Sequence, residues 1–374
     1  MKWNKEHIDK DRVRALATRY NIDLLTAAIL VRRGITEPEE IKFFLEDDLL
    51  FMHNPYLFIE MEDAVDRIMR AVEEGERVMI FGDRDVDGIT STVLLKEELA
   101  ALGLECSWAL PLGDDPYGLT NEAVDACYEG SCSLIITVDC GISNVQEIAY
   151  AAEKGIDTVV IDHHLPQETL PPAIAMIDPK ISESGYPFRD LAGCGVVAKL
   201  IWALEFARTE MYKEEVVLLN TRPGNDTVIL EAVKLRNLVE VDRVTENLVP
   251  GMVRLEQSRL ESFLIGTQIL VYGEPVHTRL LKKVFGEGVE INLLDVAPKI
   301  WEIFPALQDK SLMKIRNKSK TNQYDPDSSG ELDIFINLFS SFVLRSYPAL
   351  SGDFESRLDL VALGTLADLM PLTG

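Results

Sequence analysis

VMIFGDRDVDGITSTVL, Val78 to Leu94, decides the fold. Val78-Met79-Ile80-Phe81 reads as a buried β-strand, and Gly82 to Gly88 as the loop leaving its carboxyl end. Open α/β sheets bind ligands at that edge. In an extended loop the alternate spacing throws Asp83, Asp85 and Asp87 to one side, where three carboxylates repel one another unless a cation neutralises them. A calcium loop of the EF-hand type is the bland alternative. It wants Glu at its twelfth position, which here is Leu94, and a helix rather than a strand before it. The stretch therefore asks for a catalytic metal. Thr90, Ser91 and Thr92 follow at the expected start of a helix. They read either as phosphate-binding amides and hydroxyls or as simple helix caps.

Outward from that strand the same rhythm repeats. SLIITV leads into Asp139-Cys140-Gly141, and DTVVI leads into Asp162-His163-His164, with helices expected at STVLLKEELAALG and NVQEIAYAAEKG. Strand–helix alternation gives right-handed βαβ units and a parallel sheet, so the three strand ends converge on one edge. Mixed Asp and His ligation suits Mn²⁺, Mg²⁺ or Co²⁺ better than the sulfur sites favoured by zinc. Two such ions sharing a carboxylate serve phosphoester hydrolysis, one lowering the pKa of a water and both neutralising charge on the transition state.

Composition sets the outer limits. At 374 residues the chain suggests two or three domains, and 47% hydrophobic residues are ample for buried cores. No apolar run approaches the roughly 20 residues of a membrane span, and no signal-peptide core opens the chain, so a cytoplasmic protein is expected. Five cysteines without a CxxC pair point to reduced thiols rather than disulfides or a zinc knuckle. A formal net charge of -25 argues against a broad phosphate-binding surface. Any basic track for a polynucleotide must be local, or be supplied by a segment or partner outside this chain.

Residues 1–75 read as a helical preface, with Gly34 and Gly75 as helix C-caps and Thr36 as the cap of PEEIKFFLED. Beyond about residue 205 KEEVVLLN, TVILEAVKLR and LVEVDRVTENLVPG alternate like three neighbouring strands. Helix-like RLESFLIG, strand-like QILVYG and helix-like TRLLKKVF follow. KIRNKSKTNQYDPDSSGELD reads as a mobile loop.

FGDRDVDGITSTVLL, LIITVDCGIS, VVIDHHLP, YPFRDLAGCGVVAKL and LDLVALGTLADLMPL, in this order, resemble the successive motifs of the DHH phosphoesterase superfamily. They are most similar to its branch of single-strand-specific 5′→3′ DNA exonucleases. The preface segments LVRRGITEPEEIKFFL and NPYLFIEMEDAVDRIMRAVEEGERV share that resemblance. It implies an α/β fold with a parallel-sheet phosphoesterase domain over 76–205 plus 356–374, a helical region over 1–75, and an inserted α/β domain over 206–355. It further implies Asp85 and Asp87 as ligands of different ions, Asp139 as the bridging carboxylate, and His163 and Asp368 as further ligands of a Mn²⁺ or Mg²⁺ pair. His164 would touch the scissile phosphate or orient its neighbour, with Asp83 and Asp162 as supporting acids of the catalytic site. Gly193 and Gly195 would bring backbone to the substrate phosphate, or else form a tight turn. Three departures stand out: Arg84 in place of Tyr, Asp178 in place of Asn, and LPLGDDPYGL without the Arg that commonly precedes its YGL sequence.

The insertion admits two readings. One is an unrelated α/β domain. The other is a resemblance to the DEDD (DnaQ-like) exonucleases, whose RNase H-like fold opens on Asp-x-Glu. Here Asn220 and Arg222 stand at those positions, Thr278 and Ser328 replace the later Asp and His, and Asp333 alone remains. Such a module implies docking rather than chemistry, with a single-strand-binding protein or repair and replication proteins as partners. For the whole chain the expected activity is two-metal hydrolysis of single-stranded DNA from the 5′ end. The alternatives are a DHH oligoribonuclease or cyclic-dinucleotide phosphodiesterase, and a non-catalytic replisome scaffold.

Overall fold

The computed structural model describes residues 7–46, 48–317, 319–324 and 330–372. They form two compact units, one from the chain up to Met52 together with Glu215–Ser346, the other from His53–Glu214 together with Tyr347–Leu372. The preface is thus divided rather than single. Helices α1 (Lys10–Tyr20), α2 (Leu24–Arg32) and α3 (Pro38–Leu45) belong with the later sheet, whereas α4 (Met61–Glu74) belongs with the strand it precedes. Helix α4 ends where expected, on Gly75 in the left-handed region. At α3 the cap residue is Glu37, without a side-chain bond, and not Thr36.

The second unit holds the opening stretch. Its sheet has five parallel strands, β1 (Val78–Gly82), β2 (Cys106–Ala109), β3 (Leu134–Val138), β4 (Asp157–Ile161) and β5 (Ala175–Ile177), in the order β2-β1-β3-β4-β5. Side chains alternate across it. Val78, Ile80, Leu134, Ile136, Val159 and Ile161 face one core with α4, α5 (Val86–Ala101) and α8 (Gly193–Ala207). Met79, Phe81, Ile135 and Val160 face another with α6 (Asn121–Glu129) and α7 (Val145–Glu153). This period of two, buried on both faces, makes β1, β3 and β4 read as continuous apolar runs. Strand order reverses between β1 and β3, the switch point at which such sheets open a crevice.

Helix α5 begins earlier than the periodicity indicates. Asp85 caps it, accepting the Gly88 amide at 2.9 Å, so Asp87 and Gly88 are helical. Gly88 is required there, because a Cβ would collide with the Asp83 backbone.

In the first unit β6 (Glu215–Pro223), β7 (Val228–Arg236) and β8 (Val239–Leu248) are the expected three neighbouring strands, and they pair antiparallel. Helix α9 (Glu261–Leu264), β9 (Gln268–Val271), α10 (Glu274–Phe285) and β10 (Leu293–Asp295) follow, with β9 parallel to β6 and β10 parallel to β9, giving the order β10-β9-β6-β7-β8. Four helices complete it: α11 (Ala297–Ile303), α12 (Leu312–Arg316), α13 (Lys320–Tyr324) and α14 (Glu331–Ser346). The segment expected to be a loop, 314–333, is therefore helical over 314–316, 320–324 and 331–333, and in it Tyr324 is buried and stacks on Tyr20 at 5.4 Å. Ser328 lies outside the described residues.

The chain re-enters the second unit through α15 (Pro348–Glu355), whose Phe354 ring lies 6.2 Å from Trp202 of α8. Helix α16 (Leu358–Ala367) then packs on α5 and α8. Gly364 permits that approach. A Cβ there would stand 2.5 Å from Thr90 Oγ1, 2.6 Å from Cys194 Sγ and 2.7 Å from Asp87 Oδ1.

Candidate metal centre

Register delivers the acids. Gly82 pairs with Val138, Val138 with Ile161 and Ile161 with Ile177, so four adjacent strands end level and the next residue of each is an aspartate: Asp83, Asp139, Asp162 and Asp178. Asp139 is held in the left-handed region, φ 59°, with its amide on Ile161 O at 2.9 Å. A non-glycine residue there carries backbone strain of the kind concentrated at functional sites.

Three groupings bring ligand atoms within 4.8 Å of one another: Asp87, His163 and Asp368; Asp83, Asp85 and Asp139; and Asp139, His163 and His164. His163 Nε2 lies 3.1 Å from Asp139 Oδ1, 3.7 Å from Asp368 Oδ2 and 3.8 Å from Asp87 Oδ2. Asp139 and His163 each belong to two groupings and share one, so the Asp83, Asp85, Asp139 set and the Asp87, His163, Asp368 set adjoin through that pair. Asp83 is a full member, though the sequence ranks it as support.

Electrostatics points to a cation. Asp139 is 1% exposed, and its Oδ1 accepts no hydrogen bond. Burial, followed by the neighbouring Asp87, Asp85 and Asp162, pushes its carboxyl up to about 10. Burial likewise raises Asp83. A carboxyl held as high as that of Asp139 becomes a stable carboxylate at neutral pH only when positive charge is supplied. Burial and the adjacent His164 hold the His163 imidazole below its usual value, leaving it neutral, the form that ligates metal. Oxygen donors with one imidazole fit Mn²⁺ or Mg²⁺.

Asp162 has another task. Its Oδ1 accepts from the His163 amide at 2.7 Å, the His164 amide at 3.1 Å and His164 Nδ1 at 2.7 Å, and its Oδ2 accepts from Ile142 N at 2.9 Å. Burial alone would raise this carboxyl, but the His164 ring and the amides outweigh burial and hold it low. In return the Asp162 hydrogen bond raises His164 to about 9, despite partial burial. His164 is therefore an imidazolium at neutral pH, half exposed and suited to face a phosphate.

The residues of the two expected phosphate contacts stand in the following surroundings. Thr90 and Ser91 lie past the first turn of α5, buried, and Thr90 Oγ1 donates to Asp87 O at 3.0 Å, so neither presents an amide at a helix start. The Gly193 amide is spent on Asp87 Oδ2 at 2.7 Å and the Cys194 amide on Asp87 Oδ1 at 2.9 Å. Gly193 lacks a side chain because a Cβ would lie 2.5 Å from Asp139 Oδ1. The first turn of α8 thus anchors a carboxylate, as helix N-termini do. Gly195 is buried within the same helix, its Cβ position facing Leu191 at 3.3 Å.

Two residues gain a place that sequence reasoning does not give them. Tyr117, present only within PYGL, donates its hydroxyl to Asp139 O at 3.2 Å and lies 3.2 Å from His164 Nδ1. Asp178 is fully buried with Oδ2 unpartnered, and burial pushes it up to about 7. The recurring apolar-run-then-Asp pattern, visible in AMID, is the signal that could have found it.

The chain is similar to several known proteins. Residues 77–221 match the DHH family, N-terminal domain. The single-stranded-DNA-specific exonuclease RecJ of Bacillus subtilis (strain 168) is 38% identical over 205 residues, 54% of this chain and 26% of that protein. RecJ of Escherichia coli (strain K12) is 38% identical over 186 residues, 48% of this chain and 31% of that protein. Among solved structures, RecJ in complex with Mn²⁺ from Thermus thermophilus matches at 28% identity and TM-score 0.42, covering 52% of this chain and 27% of that one. The chain thus spans about a third or less of the length of these relatives. Among the described residues, no helix is long and apolar enough to cross a membrane.

Proposed function

We propose that the second unit is a two-metal phosphodiesterase acting on single-stranded DNA from its 5′ end, as an exonuclease similar to RecJ. The observation that carries this reading is that Asp139 of one donor set and His163 of the other lie together in a third grouping, with a buried Asp139 carboxyl that needs positive charge. Asp87, His163 and Asp368 would hold one Mn²⁺ or Mg²⁺, Asp83 and Asp85 the other, and Asp139 would face both. When bound, the ions would lower the pKa of a water and neutralise phosphate charge. Asp162 keeps the His164 ring oriented and charged, and that ring would meet the scissile phosphate. Tyr117 steadies the Asp139 carbonyl beside it.

For the first unit we infer an RNase H-like fold without chemistry. Its support is the order β10-β9-β6-β7-β8, with the first three strands in sequence antiparallel and the last two parallel. The former ligand positions are tied up. Asn220 Nδ2 donates to Glu231 at 3.2 Å and Glu331 at 3.3 Å, and Arg243 engages Asp333 at 2.8 Å. Such a module suits docking to single-strand-binding, repair or replication proteins. We take the whole chain to act in the cytoplasm.

Asp139→Ala is the decisive variant. Mn²⁺-dependent cleavage should vanish with the circular dichroism spectrum unchanged, and undiminished cleavage would refute the assignment. Comparing long single-stranded DNA with dinucleotides separates this function from the oligoribonuclease reading, which preference for the dinucleotide would favour.

A further inference from the structure

Away from the metal centre, three of the five cysteines meet in one place. Cys106 of β2, Cys127 of α6 and Cys132 of the following turn line a cavity of ≈ 630 Å³ at the β2 edge of the sheet, with Arg77, Trp108 and Gly130. Two of these thiols are brought together by the way α6 ends. Ser131 takes the left-handed conformation, φ 57°, its amide bonds Tyr128 O at 3.0 Å, and the Cys132 amide bonds Cys127 O at 2.9 Å. This is the Schellman pattern, in which the residue after the turn packs its side chain on the one that accepts its amide. Both are cysteines here, and burial together with the neighbouring Cys132 thiol holds the Cys127 thiol well above its usual range. The backbone bond holds the two Cα atoms close, as a disulfide demands. Cys127 is buried, whereas Cys132 is partly exposed to the cavity.

We propose that Cys127 and Cys132 form a reversible disulfide by exchange with a low-molecular-weight disulfide, with Cys132 as the attacking residue and Cys127 as the resolving one. The Cys132 thiolate attacks one sulfur of RS–SR, forming a protein–SR bond and expelling RS⁻. The Cys127 thiol gives its proton to solvent and attacks Cys132 Sγ, the bond to SR breaks, and a second RS⁻ leaves. The expelled thiolates take up two protons, so two protein thiols are oxidised and one small disulfide is reduced to two thiols. The product bond closes the C-terminal turn of α6 onto the segment entering β3.

The test uses the full chain incubated with oxidised glutathione, alkylated and cleaved after Tyr128. The expected products are fragments carrying Cys127 and Cys132 that remain joined and are separated by dithiothreitol. Cys127→Ser should accumulate a glutathione adduct on Cys132, and Cys132→Ser should lose both the adduct and the bridge. Full alkylation of both cysteines in the treated wild-type chain overturns the proposal, as does bridging of Cys132 to Cys106. Because the wild-type readout stands alone, a poorly folding variant does not decide the outcome.

Discussion

Lys199 shows how much one buried group can cost. It lies on α8 without a carboxylate among its described partners, donating to His53 O at 2.8 Å and lying 5.0 Å from the Trp202 ring. Burial pulls it down from 10.5 to about 7. Below pH 7 both folded and unfolded chains hold the proton, and the cost of a buried ammonium is fully present. Between about pH 7 and 10.5 the unfolded chain binds more protons, so stability rises with pH, by at most about 1.4 kcal/mol per unit. Lys199→Met should therefore be more stable than the parent at neutral pH, and the difference should shrink on approaching pH 10. Urea titrations of both chains across that range measure it. At the metal centre, Asp162→Asn keeps an acceptor but loses the charge that orients His164. A fall of about 10–100-fold in Mn²⁺ affinity or activity is expected, read by titration calorimetry and cleavage rate.

Among the elements, α16 is the most exacting. Gly364→Ala places a methyl against Thr90, Cys194 and Asp87, so α16 must back away. Overpacking of this kind costs about 1–3 kcal/mol. The larger expected effect is loss of the Mn²⁺-induced rise in melting temperature, since Asp368 retreats with the helix. At the other end of α16, Arg357 pairs with the fully buried Glu98 of α5. Burial first, and the neighbouring Glu205, raise Glu98 to about 7 even against that guanidinium. Arg357→Met leaves Glu98 unpaired and should destabilise by about 3–5 kcal/mol, while adding Glu98→Leu should restore most of the loss. Denaturant midpoints of the two single variants and the double variant give the coupling.

Legibility in the sequence follows the length and apolarity of each element. Strands β1, β3 and β4 are plain because each is a buried run of five residues ending in chemistry. Strand β2 escapes because CSWA is an edge with Ser107 and Trp108 exposed, and β5 because AMI has only three residues with prolines nearby. Losing β5 hides the fourth aspartate of the row. The candidate metal residues are readable because strand ends converge. The use of Gly193 is not, since which carboxylate receives an amide depends on how α8 meets α5.

For the whole molecule, charge sets the expected mode of binding. With a net charge of -25, few phosphates can be met by Lys or Arg. Arg84 already donates to Gly113 O at 2.6 Å, and Arg189 to Lys180 O at 2.9 Å. Counterion release from about three contacts would give a log–log salt slope of roughly -2 for single strands. Fluorescence anisotropy with labelled single-stranded DNA and Ca²⁺ should return a slope no steeper than that, and a much steeper one would reveal a basic track elsewhere in the chain.

The position of Asp368, beyond Glu214 by about 150 residues belonging largely to the other unit, also fixes a schedule. At roughly 5–20 residues per second, the ribosome finishes β1 to α8 some 8–30 seconds before it makes Asp368. During that interval the nascent domain holds most of its acids but lacks α16 and its carboxylate. On the proposed function, cleavage competence should then appear as a late, abrupt event in synthesis, after the insertion has been translated, so that a chain stalled within the insertion would stay harmless to nucleic acids around it.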